Sequence, residues 1–402
     1  MHYDKYLLSM INKKNIIDVI RTKGPINKAE IAKRVELSIP TVMKIVDEFI
    51  AQGIVRVTGK RESTGGKRPE LLELIGDAFY IVGVDIGRGH INVILMDLNG
   101  NIIVKQRHKT GETLPADNLI NRIIGFIREV IDSHSVEQSK ILGIGIGMPG
   151  LLDADKGTVL FSPDFGWHHV QLIQPIKKQF GANIVLENSN RAAAMGESWF
   201  GVGRESDFFI SVNLGHGIGA AIVERGEVYR GSSGSSGELG HIVLQENGPR
   251  CDCGNKGCLE AIASGHAIAK MAKVLVQLNP DSAILALAQN DLENIDAKIV
   301  FDAARQNDTV ANEIISEAVK YIGIGLANFI NLLDPDMIIL SGGMVNAGDI
   351  LLENVKKTTK AYQMESAGRK VKIKVSELGD NATAIGAACF ILKKFVENGG
   401  TI

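Results

Sequence analysis

Hydrophobic positions recur at helical spacing three times within the first 50 residues. The sets are Ile16, Ile17, Val19 and Ile20, then Ile31, Ala32 and Val35, then Val42, Ile45, Val46, Phe49 and Ile50. The first stripe predicts a helix over 13–23, stopped by Gly24-Pro25. Asn27, with Glu30 three residues on, is a capping-box start for the second helix. Glu36-Leu37 is the expected turn. Ser38 caps the third helix, and Pro40 is tolerated in its first turn. Gly53 ends that helix. Alternation over 54–58 and 69–75 then predicts two strands around a Gly-Lys-Arg-rich loop. Three short helices with a tight second turn, followed by a two-stranded wing, read as a winged helix-turn-helix.

Beyond residue 76 the period changes. Tyr80 to Leu98 reads strand, glycine turn, strand, and Asn99-Gly100 turns into a third strand at Asn101–Val104. A helix over 117–134 and the apolar strand Ile141–Ile146 follow, ending in Gly147-Met148-Pro149-Gly150. The plan then repeats. Strands are expected at 208–214, 217–223 and 227–229, helices near 266–278, 297–306 and 309–330, and a strand at Met337–Leu340. A last helix over Thr383–Glu397 is expected to pack back on the first copy. This duplicated β-β-β-α-β-α plan predicts two α/β lobes with a ligand cleft between them. The expected domains are residues 1–76 and 77–402, with lobe 1 at about 77–188 plus the last helix and lobe 2 at about 189–382.

Charge changes the picture of the first segment. Residues 1–70 hold 14 Lys and Arg against 8 Asp and Glu, a net of +6, while the rest of the chain carries −8. A basic head on an acidic body suits an anionic partner. The chain has neither an apolar leader nor an uninterrupted run long enough to span a bilayer, so a cytoplasmic protein without membrane contact is expected.

Three of the four cysteines cluster. His241, Cys251, Cys253 and Cys258 form an H-x9-C-x-C-x4-C array with Gly254 and Gly257 at the turns. Three thiolates and one imidazole make a closed tetrahedral set, which points to structural rather than catalytic Zn2+. Clustered cysteines in so long a chain suit a reducing compartment better than disulfides. Cys389, in Ala-Ala-Cys-Phe, reads as buried packing.

The run from Gly231 to His241, G-x-x-G-x-x-G-E-x-G-H, followed by C-x-C-G-x-x-G-C-x-E, resembles the signature of the ROK family of sugar kinases and sugar-responsive repressors. The resemblance implies a two-lobed, actin-like, sugar-kinase-like body. It also implies sugar contacts at Glu238, His241 and Glu260 and zinc on His241 and the three cysteines. By the same likeness Gly150, Asn188 and Ser189 complete the sugar pocket, although an N-cap role for Asn188 and a simple turn at Gly150 are the bland alternatives. Carboxylates accept charge-assisted hydrogen bonds from hydroxyls.

Three motifs depart from the kinases of that family. Their D-x-G-G-T-K turn is Asp85-Ile86-Gly87-Arg88-Gly89-His90 here. Their L-G-T-G-I-G turn is Leu214-Gly215-His216-Gly217-Ile218-Gly219. Their E-N-D-A-N-A-A-A-L-G-E carries the catalytic Asp where this chain has Ser189. A serine hydroxyl is too weak a base at neutral pH to take the proton of an attacking sugar hydroxyl. The expectation is therefore a non-enzymatic, sugar-responsive repressor. Its third helix would offer Ser38, Thr41 and Lys44 to DNA, and its wing would offer Lys67 and Arg68 to a minor groove. A homodimer or tetramer would read an inverted-repeat operator. The sugar stays open between xylose, glucose and N-acetylglucosamine. A sugar kinase with an appended DNA-binding segment and a regulator whose effector is a protein are the alternatives.

Overall fold

A computed structural model of the chain describes residues 5–60, 69–111, 115–366 and 370–401. Their contacts divide into two compact units, Met1–Ala192 with Thr383–Ile402, and Ala193–Ala382. The N-terminal helices belong to the first unit.

Helices α1 (Lys5–Lys23), α2 (Lys28–Val35) and α3 (Ile39–Ala51) lead into the wing strands β1 (Val55–Lys60) and β2 (Glu70–Leu74), which pair antiparallel. The caps follow the sequence. Asn27 Oδ1 accepts the Glu30 N–H at 2.9 Å, and Ser38 Oγ accepts that of Thr41 at 3.3 Å. Each such cap contributes about 1 kcal/mol. Glu36 supplies the αL C-cap of α2. Ile16, Ile17, Ile20, Ile31, Val42, Val46, Phe49 and Leu72 are buried, so the three stripes meet in one small core. One expectation needs correcting: α1 starts eight residues before Lys13. Its first turns expose Tyr6, Leu7, Leu8 and Ile11, so the stripe that marks the second half is missing from the first.

Lobe 1 continues with β3 (Tyr80–Ile86), β4 (His90–Asp97), β5 (Ile102–Lys109), α4 (Ala116–Ser133) and β6 (Ile141–Met148). Then come β7 (Leu151–Asp153), β8 (Thr158–Ser162), β9 (Trp167–Gln171), α5 (Ile173–Phe180), β10 (Asn183–Asn188) and α6 (Ser189–Trp199), whose residues from Ala193 on belong to the second unit. The main sheet runs β10-β6-β3-β4-β5, and β7-β8-β9 form a separate small sheet that sequence patterning does not predict. Asp97 makes the β4–β5 turn: its Oδ1 accepts the N–H groups of Asn99 and Asn101.

Lobe 2 holds β11 (Phe208–Leu214), β12 (Ile218–Glu224), β13 (Glu227–Tyr229), α7 (Leu259–Ala263), α8 (Gly265–Leu278) and α9 (Ala283–Leu287). It ends with α10 (Ala297–Arg305), α11 (Thr309–Leu333), β14 (Met337–Ser341), α12 (Asp349–Tyr362) and β15 (Lys372–Val375). Its sheet runs β13-β12-β11-β14-β15. Numbered within each lobe, both sheets have the order 3-2-1-4-5, so the duplication is real. Its core joins Ile210, Val212, Ile338 and Leu340 of the sheet to Ala318, Ile322 and Leu326 of α11.

Helix α13 (Ala382–Glu397) returns to the first unit. A Cβ added at Gly83 or Gly145 would overlap the carbonyls of Ala384 or Ala387, and one at Gly143 would press on Ile391. Helix and sheet therefore approach as closely as glycine allows. Past α13 the chain reaches the winged helix. Phe395 meets Phe79, with centroids 5.8 Å apart, and a side chain at Gly400 would meet Ile17, Phe49 and Ile54.

Candidate functional site

The cysteine array folds as a knuckle. Cys251 lies in a tight turn, where its N–H donates to Asn255 O at 2.8 Å and its carbonyl accepts the Gly254 N–H at 3.0 Å. Gly254 and Gly257 have φ of +96° and +70°, and a Cβ at Gly257 would collide with the Gln245 carbonyl. The turn brings His241, Cys251, Cys253 and Cys258 together, with all four donor atoms within 4.8 Å of one another. Cys251 Sγ lies 3.6 Å from His241 Nδ1, and Cys253 Sγ lies 3.7 Å from Cys258 Sγ. Tetrahedral zinc, with Zn–S bonds of about 2.3 Å, would separate two sulfurs by about 3.8 Å. The donor set fits such an ion. Burial raises the Cys251 thiol, and burial with the neighbouring sulfurs pushes the Cys258 thiol up to about 12. A coordinating cation deprotonates such thiols outright.

The knuckle also positions two carboxylates. Glu238 Oε2 lies 3.9 Å from His241 Nε2, the ring nitrogen that faces away from the sulfurs. Glu260, in the first turn of α7 and two residues past Cys258, accepts the Ile218 N–H through Oε2 at 2.9 Å. That bond depends on Gly217, where a Cβ would overlap the same oxygen. Glu260 Oε1 has no protein partner among the described residues, so one oxygen is available to a hydroxyl.

The first unit offers a second group. Asn188 Nδ2 donates to Gly150 O at 3.3 Å, while its Oδ1 accepts the N–H groups of Asn190 at 3.0 Å and Arg191 at 3.4 Å. Asn188 thus caps α6, which Ser189 opens, and one of its amide hydrogens is not used by these bonds. Glu187 Oε1 accepts the Asn188 N–H at 2.8 Å and pairs with Arg191 Nε at 2.7 Å, both side chains being buried. Gly150, at φ +121°, could not carry a Cβ beside Phe161 O and Ser162.

In the winged helix Ser38, Thr41 and Lys44 lie on the first two turns of α3. Ser38 and Thr41 also share a 2.8 Å hydroxyl contact, so their polar groups already serve the cap. Lys67 and Arg68 lie outside the described residues.

Sequence reasoning missed a cavity of about 840 Å³ in lobe 2. Gly215, His216, His266, Lys270, Phe301 and Arg305 are among its walls. The His216 and His266 rings stand 4.9 Å apart. Only the turn Leu214–Gly219 signalled it in the sequence, because the other walls come from segments far along the chain. In the matching turn of lobe 1, Arg88 reaches toward Asp164, 4.0 Å away.

Comparison with known proteins covers nearly the whole chain. Residues 11–56 match the winged helix-turn-helix DNA-binding family, and residues 81–394 match the ROK family. The xylose repressor of Caldicellulosiruptor bescii is 32% identical over 389 residues, covering 96% of each chain. A glucokinase of Thermotoga maritima is 36% identical over 315 residues, covering 78% of this chain and 98% of its own. Among solved structures, a ROK family transcriptional regulator described as a homologue of the E. coli MLC protein superposes with a TM-score of 0.84 at 27% identity, over 98% of both chains. The repressor and the regulator span the N-terminal helices, whereas the glucokinase match covers a share no larger than the body. With its winged helix joined to a duplicated two-lobed body, this chain belongs to the ROK family.

Proposed function

We infer that the chain is a DNA-binding transcriptional repressor whose operator affinity is set by a sugar held in its ROK body. The observation that carries this is the union, in one chain, of a winged helix-turn-helix and a ROK body. Residues 1–76 are the DNA-binding domain, and 77–402 are the sugar-binding domain. Ser38, Thr41 and Lys44 touch the operator through α3, and Lys67 and Arg68 touch it through the wing. The protein works in the cytoplasm as a homodimer or tetramer on an inverted repeat. Gly150, Asn188, Ser189, Glu238, His241 and Glu260 contact the sugar. Zn2+ on His241, Cys251, Cys253 and Cys258 is structural: it cross-links the knuckle that carries Glu238 and Glu260. Ser189 offers hydrogen bonds but no general base, so the sugar is bound without being phosphorylated.

Sugar binding must favour one conformation over the other. Turning a mostly bound population into a mostly free one needs about 5 kcal/mol of differential affinity. The test is fluorescence anisotropy on duplexes from upstream of its own gene and its neighbours, at fixed salt, with a panel of sugars. Release of one specific duplex by one sugar is the expected result. Specific binding that survives every sugar would move the effector role to a protein.

The lobe-2 cavity, bordered by the turn that matches the kinases' second phosphate turn, favours one second reading: a sugar kinase with an added DNA-binding segment. Steady sugar-dependent ADP formation by pure protein, abolished by Ser189→Ala, would establish it.

A further inference from the structure

The solvent face of α3 is apolar where a soluble helix is normally polar. Val42, Ile45, Val46 and Phe49 are its buried side. Opposite or flanking them on the first two turns stand Ile39 and Met43, 50% and 44% exposed, with Pro40 and Lys44 beside them. Ile39 and Met43 are spaced i, i+4 and are neighbours on the surface. The polar groups of the helix are otherwise engaged. Ser38 and Thr41 bond each other across the cap. Asp47 pairs with Lys28 Nζ at 2.9 Å, and Glu48 with Lys13 Nζ at 2.8 Å. What α3 presents from its N-terminal half is therefore two aliphatic side chains and one lysine.

We propose that Ile39 and Met43 are specificity-determining residues that read thymine through its C5-methyl group in the major groove. The proposal rests on the DNA-binding reading above. The N-terminal half of a recognition helix faces base edges, and the thymine methyl is the apolar feature those edges offer there. Charge agrees with a DNA occupant. The first 70 residues carry a net +6, and Lys33, Arg34 and Lys44 are exposed on or next to the same two helices. The pairing of Asp47 and Glu48 with lysines keeps bare carboxylates off this face. Direct readout by this helix therefore falls on T-containing steps, while phosphate contacts fall to the lysines and Arg34.

The test uses the full chain. The tightest duplex is selected from a random library, then remade with deoxyuridine in place of single thymidines, which removes the methyl and leaves the hydrogen-bonding edge intact. For the wild type, at least one substitution in each half-site weakens binding about four-fold, the worth of one buried carbon group. Met43→Ala and Ile39→Ala, at exposed positions that leave the fold intact, each bind the thymidine duplex more weakly and lose the thymidine–deoxyuridine difference at one position. Wild-type affinity unchanged by deoxyuridine at every position overturns the proposal. So does undiminished deoxyuridine sensitivity in both variants. If the variants instead break up an oligomer while the wild type ignores the methyl, the face is a contact between copies of the chain. Failure to select any specific duplex would remove the DNA-binding reading itself, a result distinct from all of these.

Discussion

The two lobes have the same strand order and fill their sheets in opposite ways. Lobe 2 is closed by its own sequence: α11, within the same unit, lays Ile322 and Leu326 against large side chains such as Ile338 and Leu340. Lobe 1 has Gly83, Gly143 and Gly145 where large residues would stand, and borrows α13 from the far end of the chain. Lobe 2 adds a rigid knuckle instead, with four metal-type ligands inside 4.8 Å. One topology thus admits two solutions. One is close backbone approach, which tolerates no added atom; the other is side-chain packing beside a compact knuckle, which tolerates small losses.

The largest predicted effect tests close approach directly. Gly145→Val would drive a branched side chain into Ala387, and we expect no cooperatively folded first unit in urea titrations monitored by circular dichroism. Ile338→Val, on the corresponding strand of lobe 2, should cost only about 1 kcal/mol by the same measurement. Equal losses would dissolve the contrast.

Next in size is the knuckle. Cys251→Ser, or stripping by a strong chelator, should remove one equivalent of zinc by elemental analysis and abolish the sugar response. It should lower the thermal transition of the second unit by several degrees while leaving that of the first in place. A variant that binds no zinc yet keeps full induction would break the link between knuckle and sugar. Phe395→Ala should cost about 3 kcal/mol in the first unit, since Phe395 is fully buried against Phe79, and should speed amide exchange in α1 and α3. The smallest effect belongs to Ser189→Asp. A carboxylate at the first turn of α6 should raise stability by about 0.5 kcal/mol through the helix dipole, read from the urea midpoint.

The sequence spoke clearly where a local rule decides. Asn27 and Ser38 cap the helices they were expected to cap, Asn99-Gly100 turns β4 into β5, and the duplicated strand pattern became two sheets of one order. The Cys-x-Cys array announced its cluster because its ligands lie within a short loop. Other features depend on partners distant in sequence. The glycines at 143 and 145 alternate visibly, yet nothing near them names α13 as the element they admit. The cavity of lobe 2 has walls from the turn after β11, from α8 and α10, and from the loop after β14, which no single stretch reveals. The small sheet β7-β8-β9 has strands of three to five residues, too short for a period to show. The start of α1 lacks a stripe because Tyr6, Leu7, Leu8 and Ile11 are exposed rather than turned into the buried core of the head.

The borrowed helix also orders events in time. Gly83 and its partner Ala384 are roughly 300 residues apart, so the ribosome must pass through all of lobe 2 before that face of the lobe 1 sheet can leave water. Lobe 2, contiguous from 193 to 382, has everything it needs earlier. Gly400, nested against Ile17, Phe49 and Ile54, is made only after both lobes. A nascent chain that stalls before residue 400 therefore carries a DNA-binding head still missing one of its packing partners.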